Sequence, residues 1–408
     1  MANTVPASEL IRLVSLTKGT FVAWIGAGVS LEAGVKAGGD ICTEIKAHLA
    51  GAAKAADTDA WARANLDWDD PSRRYSKCIS RLGNAAIRIQ YFRQLIRNAE
   101  PSFSHHAIAM LMARGYLQRT CLTTNFDKLL EMSFAQQSIS EYQAIRIEDE
   151  ADYWASDDKN YIVKLHGDYD TANILNTQDE TIRIPDQLQA IGRQLLQRKG
   201  LFVLGSSGYE QSVIAFFEEL WRIRDKSVLS FGTYWGVYMG SWRPSGMTLA
   251  DEMVELSAQI SKGIVSRSII ECAERAEKTG REFNFFPVWG SGQLLFDLIE
   301  SLGDRRLLGD ARRFLDHRMR LRDVLARGGL NEAAIDARLA RLSERERQVR
   351  ESGIAESSTA THALHAQHNT TRHQVDVVYG DLASRSLMSL DLLWPRISCG
   401  GEPGRYLP

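Results

Sequence analysis

The sequence predicts an α/β protein built on a doubly wound, Rossmann-like parallel sheet, with a small helical insertion and a helical C-terminal region. Three observations predict it. Apolar runs of about five residues, bounded by turn residues, recur along the first three quarters of the chain, as in strands buried on both faces. Stretches of helical periodicity separate them, as crossovers between parallel strands require. Four of the runs end in a short polar cluster: Gly26-Ala27-Gly28-Val29-Ser30, Thr124-Asn125-Phe126-Asp127, His166-Gly167-Asp168 and Gly205-Ser206-Ser207. Open α/β sheets bind ligands outside the carboxyl ends of their strands, so the four clusters point to one shared pocket.

The chain has 408 residues, enough for one large α/β domain with an appendage or for two ordinary domains. It is 44% hydrophobic and 25% charged with a net charge of -2, which argues against a generally basic nucleic-acid surface. Cys42, Cys78, Cys121, Cys272 and Cys399 are scattered and never form a C-x-x-C pair, so neither a disulfide framework nor a zinc ribbon is expected. A reducing cytoplasm fits, since no basic-then-apolar leader opens the chain and no apolar run approaches the roughly 18 residues of a membrane span.

In order, residues 8–15 read as a short helix and 21–25 as a buried strand. Gly26-Ala27-Gly28 then lets backbone N–H groups approach a phosphate, with the Ser30 hydroxyl nearby, and serves equally as a tight strand-to-helix turn. Residues 40–101 form the helical insertion, poised to cover a site, and Trp61, Trp68, Tyr75 and Tyr91 belong to its core. A helix over 104–114 carries His105 and His106, adjacent residues that cannot share a helical face; His105 reads as a hydrogen-bonded histidine beside the core. The strand over 117–124 breaks at Thr124, Asn125 and Asp127, residues that suit a carboxamide or a ribose hydroxyl and are also good helix caps. After an acidic loop at 148–158, the strand 161–165 delivers His166, a group able to act as a general base near neutral pH. The strand 201–204 delivers Gly205, Ser206 and Ser207 ahead of a helix over 212–221. Strands at 231–238 and 284–288 and a helix at 290–299 complete the sheet near residue 302.

Taken in order, the motifs resemble those of the sirtuin family, in particular its zinc-free bacterial branch found in antiviral defence operons. The glycine-rich G-A-G-x-S motif resembles Gly26 to Ser30, T-x-N-x-D resembles Thr123 to Asp127, H-G resembles His166-Gly167, and a later G-S resembles Gly205-Ser206. The resemblance spans about residues 8–302 and implies a catalytic domain over 1–302 with NAD as its ligand and substrate, and no metal. By similarity, Ala27, Gly28 and Ser30 would hold phosphates and ribose, Asn125 and Asp127 the nicotinamide end, and Ser206 and Ser207 the adenosine side, with Gly26, Thr124 and Gly205 as further cofactor-binding positions. His166 would be the catalytic base and Asn125 the orienting amide. The family's four-cysteine module has no counterpart, and its G-I-P-x-F-R continuation is replaced by Gly34-Val35-Lys36-Ala37. That disfavours acyl-lysine recognition and leaves hydrolysis of the nicotinamide–ribose bond as the simpler chemistry, with an NAD- or ADP-ribose-sensing module as the alternative.

After Gly303 the composition turns to charged helical sequence through about residue 351, a solvated helical pair suited to assembly or partner binding. A polar linker at about 355–372 contains His362, His365 and His368, and 375–394 regains enough apolar residues to dock. The resemblance implies NAD depletion and abortive infection during phage attack. It also implies a homo-oligomeric or partner-held switch, with a HerA-type ATPase, a short Argonaute or a nucleotide-processing subunit as partner. No sequence-specific nucleic-acid contact and no membrane contact are expected.

Overall fold

In the computed structural model of the chain, the described residues are 3–97, 99–154, 159–168, 183–223, 225–240, 243–244 and 246–320. The chain divides into two units, Met1–Arg318 and Met319–Pro408, and the sheet with its covering helices belongs to the first. The second half of the expected helical pair, the linker with its three histidines and the closing segment lie outside the described residues.

Eight strands among the described residues form one sheet: β1 (Asn3–Thr4), β2 (Phe21–Ile25), β3 (Thr120–Thr123), β4 (Tyr142–Ile145), β5 (Asn160–Lys164), β6 (Gly200–Leu204), β7 (Thr233–Tyr238) and β8 (Phe283–Val288). All are parallel, in the order β1-β8-β7-β6-β2-β3-β5-β4. The four strands with polar ends are therefore neighbours, β6-β2-β3-β5. Ile25 is level with Thr123 and with Leu204, and Thr123 with Lys164, so their carboxyl ends are flush. From β2 the chain winds outward through β3 to β4 at the edge, steps back to β5, and then crosses to β6 on the other side of β2. The crevice between β2 and β6 is the switch point at which such sheets bind ligands.

Helices cover both faces, as buried parallel strands demand: α1 (Ala7–Leu16), α2 (Ala27–Ser30), α3 (Gly38–Ala52), α4 (Thr58–Asn65), α5 (Pro71–Arg81), α6 (Ala85–Ile96), α7 (Phe103–Ala113), α8 (Leu129–Gln136), α9 (Asp186–Leu195), α10 (Gln211–Arg222), α11 (Leu249–Ser261), α12 (Arg267–Lys278), α13 (Ser291–Ser301) and α14 (Arg305–Arg320). Every residue of β2, β5 and β6 is buried. On one face Trp24 packs against Phe216 and Phe217 of α10, ring centroids 5.5 and 6.0 Å apart, each such burial contributing about 1.5–3 kcal/mol.

The insertion is the four helices α3 to α6, with a core of its own around Ile41, Cys42, Ile45, Cys78, Ile79 and Phe92. Trp61, Trp68, Tyr75 and Tyr91 pack against that core, as the sequence predicts. Phe126 joins it, its ring 4.4 Å from that of Phe92. The side chain between Asn125 and Asp127 thus fastens the insertion to the end of β3. Helix α7 is buried from Phe103 to Met112, so His105 and His106 point different ways and are both inside; His106 stacks on Phe314 of α14 at 4.0 Å. Leu307, Leu308 and Ala311 of α14 are buried, and Arg114 pairs with Asp310 at 2.8 Å.

At the switch point the glycines are required by each other. A Cβ on Gly28 would lie 2.6 Å from the Gly205 Cα, and one on Gly205, whose φ is +72°, would lie 2.5 Å from the Val29 nitrogen. Neither backbone has room to withdraw, since Gly26 N and Gly28 N donate to Leu204 O and Gly205 O, both at 2.8 Å. Gly205→Ala is therefore expected to destabilise the fold by on the order of 3 kcal/mol. A fall of several degrees in the melting temperature is the check, and an unchanged melt would contradict it.

Candidate functional site

The flush strand ends and the insertion enclose a cavity of about 500 Å³, lined by Ala27, Gly28, Ser30, Thr124, Asn125, Asp127, His166, Gly205, Ser206 and Ser207, within the size range of cofactor sites. Ten of the eleven residues expected at the site therefore meet at one cavity, with Gly26 directly behind the wall. From the insertion come Gly38, Ile41, Cys42, Arg74, Tyr75 and Leu95, so it does cover the site. Tyr75 belongs both to the insertion core and to the cavity wall.

Ser30 is the hub of the β2–β3 side. Its hydroxyl donates to Asp127 Oδ2 at 2.8 Å and accepts from Asn125 Nδ2 at 3.1 Å. His105 Nε2 lies 3.4 Å from the same oxygen. The Ser102 backbone N–H donates to His105 Nδ1 at 3.1 Å, which leaves the proton of a neutral ring on Nε2, facing Ser30. His105 is thus the hydrogen-bonded core histidine the sequence predicts, and it also supports the site. The Ser30 hydroxyl, expected at phosphates and ribose, is committed to holding its neighbours.

Asn125 donates from Nδ2 to Gly26 O at 3.2 Å as well as to Ser30. An amide oxygen would repel that carbonyl, so the chemistry fixes the orientation and leaves Oδ1 as the acceptor. The turn itself is pinned by Thr123, whose hydroxyl donates to Ile25 O and accepts from Asn125 N, both at 2.9 Å. Asp127 Oδ1 accepts from Leu129 N at 3.1 Å, so this side chain ties down the start of α8 while lining the cavity.

His166 is buried, with Nε2 at 2.7 Å from Ser212 Oγ at the start of α10. Burial pulls its imidazole down to about 4, so the ring is neutral at neutral pH. Beneath it, Lys164 is completely buried and reaches three groups: Glu131 Oε1 at 2.7 Å, Asp168 Oδ2 at 2.6 Å and the Asp127 carbonyl at 2.5 Å. Burial pulls the Lys164 ammonium down, but the Glu131 and Asp168 carboxylates more than offset this and hold it above its usual value. This cation ties the β3 and β5 crossovers together.

The loop after β6 is fixed by Trp235 Nε1 donating to Ser206 O at 3.0 Å, by Gly208 N donating to Ser206 Oγ at 3.3 Å, and by Ser266 N donating to Ser207 O at 2.9 Å. The sequence does not single out Lys164, Ser212 or Glu210, nor the pinning role of Thr123. Lys164 stands inside an apolar strand run, and nothing local shows that Ser212 reaches a histidine 46 positions away.

The fold and cavity define a doubly wound α/β domain with a ligand pocket at its switch point. Residues 119–236, from the start of β3 into β7, match the family described as a SIR2-like domain. The span holds Asn125, Asp127, His166, Ser206 and Ser207 but not the Gly26–Ser30 turn. No curated protein matches the chain. Among solved structures, a crystal structure of a Sir2 homologue–NAD complex aligns at 14% identity over 75% of this chain and 97% of its own, with a TM-score of 0.38. An ADP-ribose complex of a Sir2 homologue variant aligns at 13% identity over 72% and 96%, with a TM-score of 0.37. Among the described residues no helix is long and apolar enough to cross a membrane, and no cluster of three or more His, Cys, Asp or Glu side chains is placed to hold a metal ion.

Proposed function

We propose that the chain is an NAD glycohydrolase that cleaves the nicotinamide–ribose bond with water as acceptor. The observation that carries the reading is the convergence of a neutral buried imidazole, His166, and an oriented amide, Asn125, on one cavity at the switch point. The SIR2-like match over the same strands supports it.

His166 Nε2 and Ser212 Oγ share a hydrogen bond in which the tautomer sets the donor, and with the proton on Nε2 the ring keeps Nδ1 as the acceptor a general base needs. Asn125 offers Oδ1 to the reacting end of the substrate, held by Gly26 and Ser30. Water attacks ribose C1′ as the bond to nicotinamide breaks, and the water's proton passes to His166. The biological role that follows is depletion of NAD in antiphage defence, restrained by assembly or by a partner until infection.

Asn125→Ala removes the orienting group, and nicotinamide release is expected to fall ~10²–10³-fold, the range for one preorganised polar group. The melting temperature should move by only a few degrees. Undiminished turnover in a folded Asn125→Ala protein would refute the assignment.

A further inference from the structure

Glu210 stands at the N-cap of α10, a place where a short polar side chain normally accepts the helix's first N–H groups. Here the side chain makes no capping bond. It lines the cavity instead and hydrogen-bonds the Thr124 side chain, bridging from the β6 side of the switch point to the end of β3, over the end of β2. Its other oxygen, Oε2, is shut off from water and has no hydrogen-bond partner. Folded proteins leave few buried acceptors unpaired, and each such group asks for an explanation.

The charged and titratable groups that share the cavity do not supply one. Asp127 is satisfied by Ser30 and Leu129. The Arg74 guanidinium is held by the Trp68 carbonyl and ring, and Lys36 pairs with Glu44 at 2.8 Å. His166 is neutral. Burial pushes the Tyr75 hydroxyl up, with Glu210 among the charges adding to the effect, so it too stays uncharged near neutral pH. Among the described residues no cation pairs with Glu210, so its buried oxygen is open to a donor or a positive charge brought by a ligand.

Resting on the NAD-cleaving reading above, we infer that Glu210 is the counter-charge for the cationic nicotinamide–ribose end of the substrate, and that it selects oxidised NAD over NADH. The nicotinamide ring carries the positive charge in the ground state. When the C1′–N bond breaks, both electrons go to the ring nitrogen and the charge passes to ribose C1′. Water adds to C1′ as this charge develops, its proton goes to His166 and from there to solvent. A carboxylate in a low-dielectric wall interacts with such a charge more strongly than water would, and the interaction grows as the charge moves onto the ribose. Burial raises the Glu210 carboxyl to about 7, with the Thr124 hydrogen bond opposing. A bound cation favours its ionised form, so NAD binding releases a proton below that pH and affinity rises as pH increases through 7.

The test compares dissociation constants for NAD and NADH by calorimetry in a His166→Ala background, where NAD stays intact, with and without Glu210→Gln. Gln keeps the size and the acceptor for Thr124 but removes the charge. The expected result is a tenfold or greater preference for NAD at pH 8 that shrinks at pH 6 and vanishes at both pH values in Glu210→Gln. Glu210→Asp should retain it, and with His166 intact Glu210→Gln should cut turnover at least 100-fold. A preference that is absent from the parent, or unchanged by Glu210→Gln, overturns the role of Glu210 and leaves the NAD reading standing. A parent that binds neither NAD nor NADH overturns the NAD reading and this inference with it.

Discussion

His166→Ala is expected to lower nicotinamide release ~10²–10⁴-fold, the usual contribution of a positioned general base. Folding should survive, because the variant gives up one side-chain hydrogen bond to Ser212 and no charge pair. With the imidazole at about 4 in the folded protein, the base is neutral throughout the physiological range. In Glu210→Gln, where the carboxyl at about 7 is gone, the residual rate at saturating NAD should therefore hold from pH 8 to about 5 and fall only as pH drops through 4. Nicotinamide release by a purified, folded His166→Ala protein at the wild-type rate would sink the assignment. In Glu210→Gln, an acid limb centred near 6.5, the ordinary histidine value, would show instead that the ring is more solvated than the structure places it.

The second large effect belongs to Lys164→Met, which leaves Glu131 and Asp168 buried without their shared cation. Removing one partner of a buried ionic cluster typically costs about 3–5 kcal/mol. The sign of the pH dependence follows from which form burial penalises. Burial already holds the Glu131 carboxyl above its usual value and penalises only its ionised form, so the deficit against wild type should be largest at pH 8 and shrink towards pH 5 as Glu131 takes up a proton. Chemical denaturation of both proteins at the two pH values checks this, and a deficit that does not change with pH would contradict it. The same substitution loosens the Asp127 carbonyl and the His166-Gly167-Asp168 turn, so the fraction that stays folded should also turn over NAD more slowly.

The central strands are readable in the sequence because each is an apolar run stopped by glycine or a polar turn, as Phe21–Ile25 is by Gly26. That these four strand ends share one pocket is implied by their polar clusters, whereas the order β6-β2-β3-β5 comes from the structure. The edge strands are not readable. Strand β1 has two residues, and Tyr142–Ile145 is half-exposed with a central glutamine, so neither carries a buried-strand signal. The amphipathic helices α9, α11 and α12 lie in stretches whose charge masks their apolar faces.

At the site, residue types are readable but not their division of labour. Gly28 reads as a phosphate cradle, and its tightest constraint is the Gly205 backbone. Ser30 reads as a ligand contact, and it orients Asn125 and Asp127. Such roles rest on contacts between positions 95 to 177 residues apart, which no local pattern encodes. Glu210 escapes notice because at a helix start it reads as an ordinary acidic residue, and only its missing cap bond and its place in the cavity wall set it apart.

The most direct measurement is to incubate the full chain with NAD, alone and together with the products of the adjacent genes, and to quantify nicotinamide and ADP-ribose over time. Equimolar nicotinamide and ADP-ribose, formed in at least one condition and lost with His166→Ala, is the predicted result. NAD that is bound but recovered intact in both conditions would contradict hydrolysis and make the domain a sensor of the nucleotide.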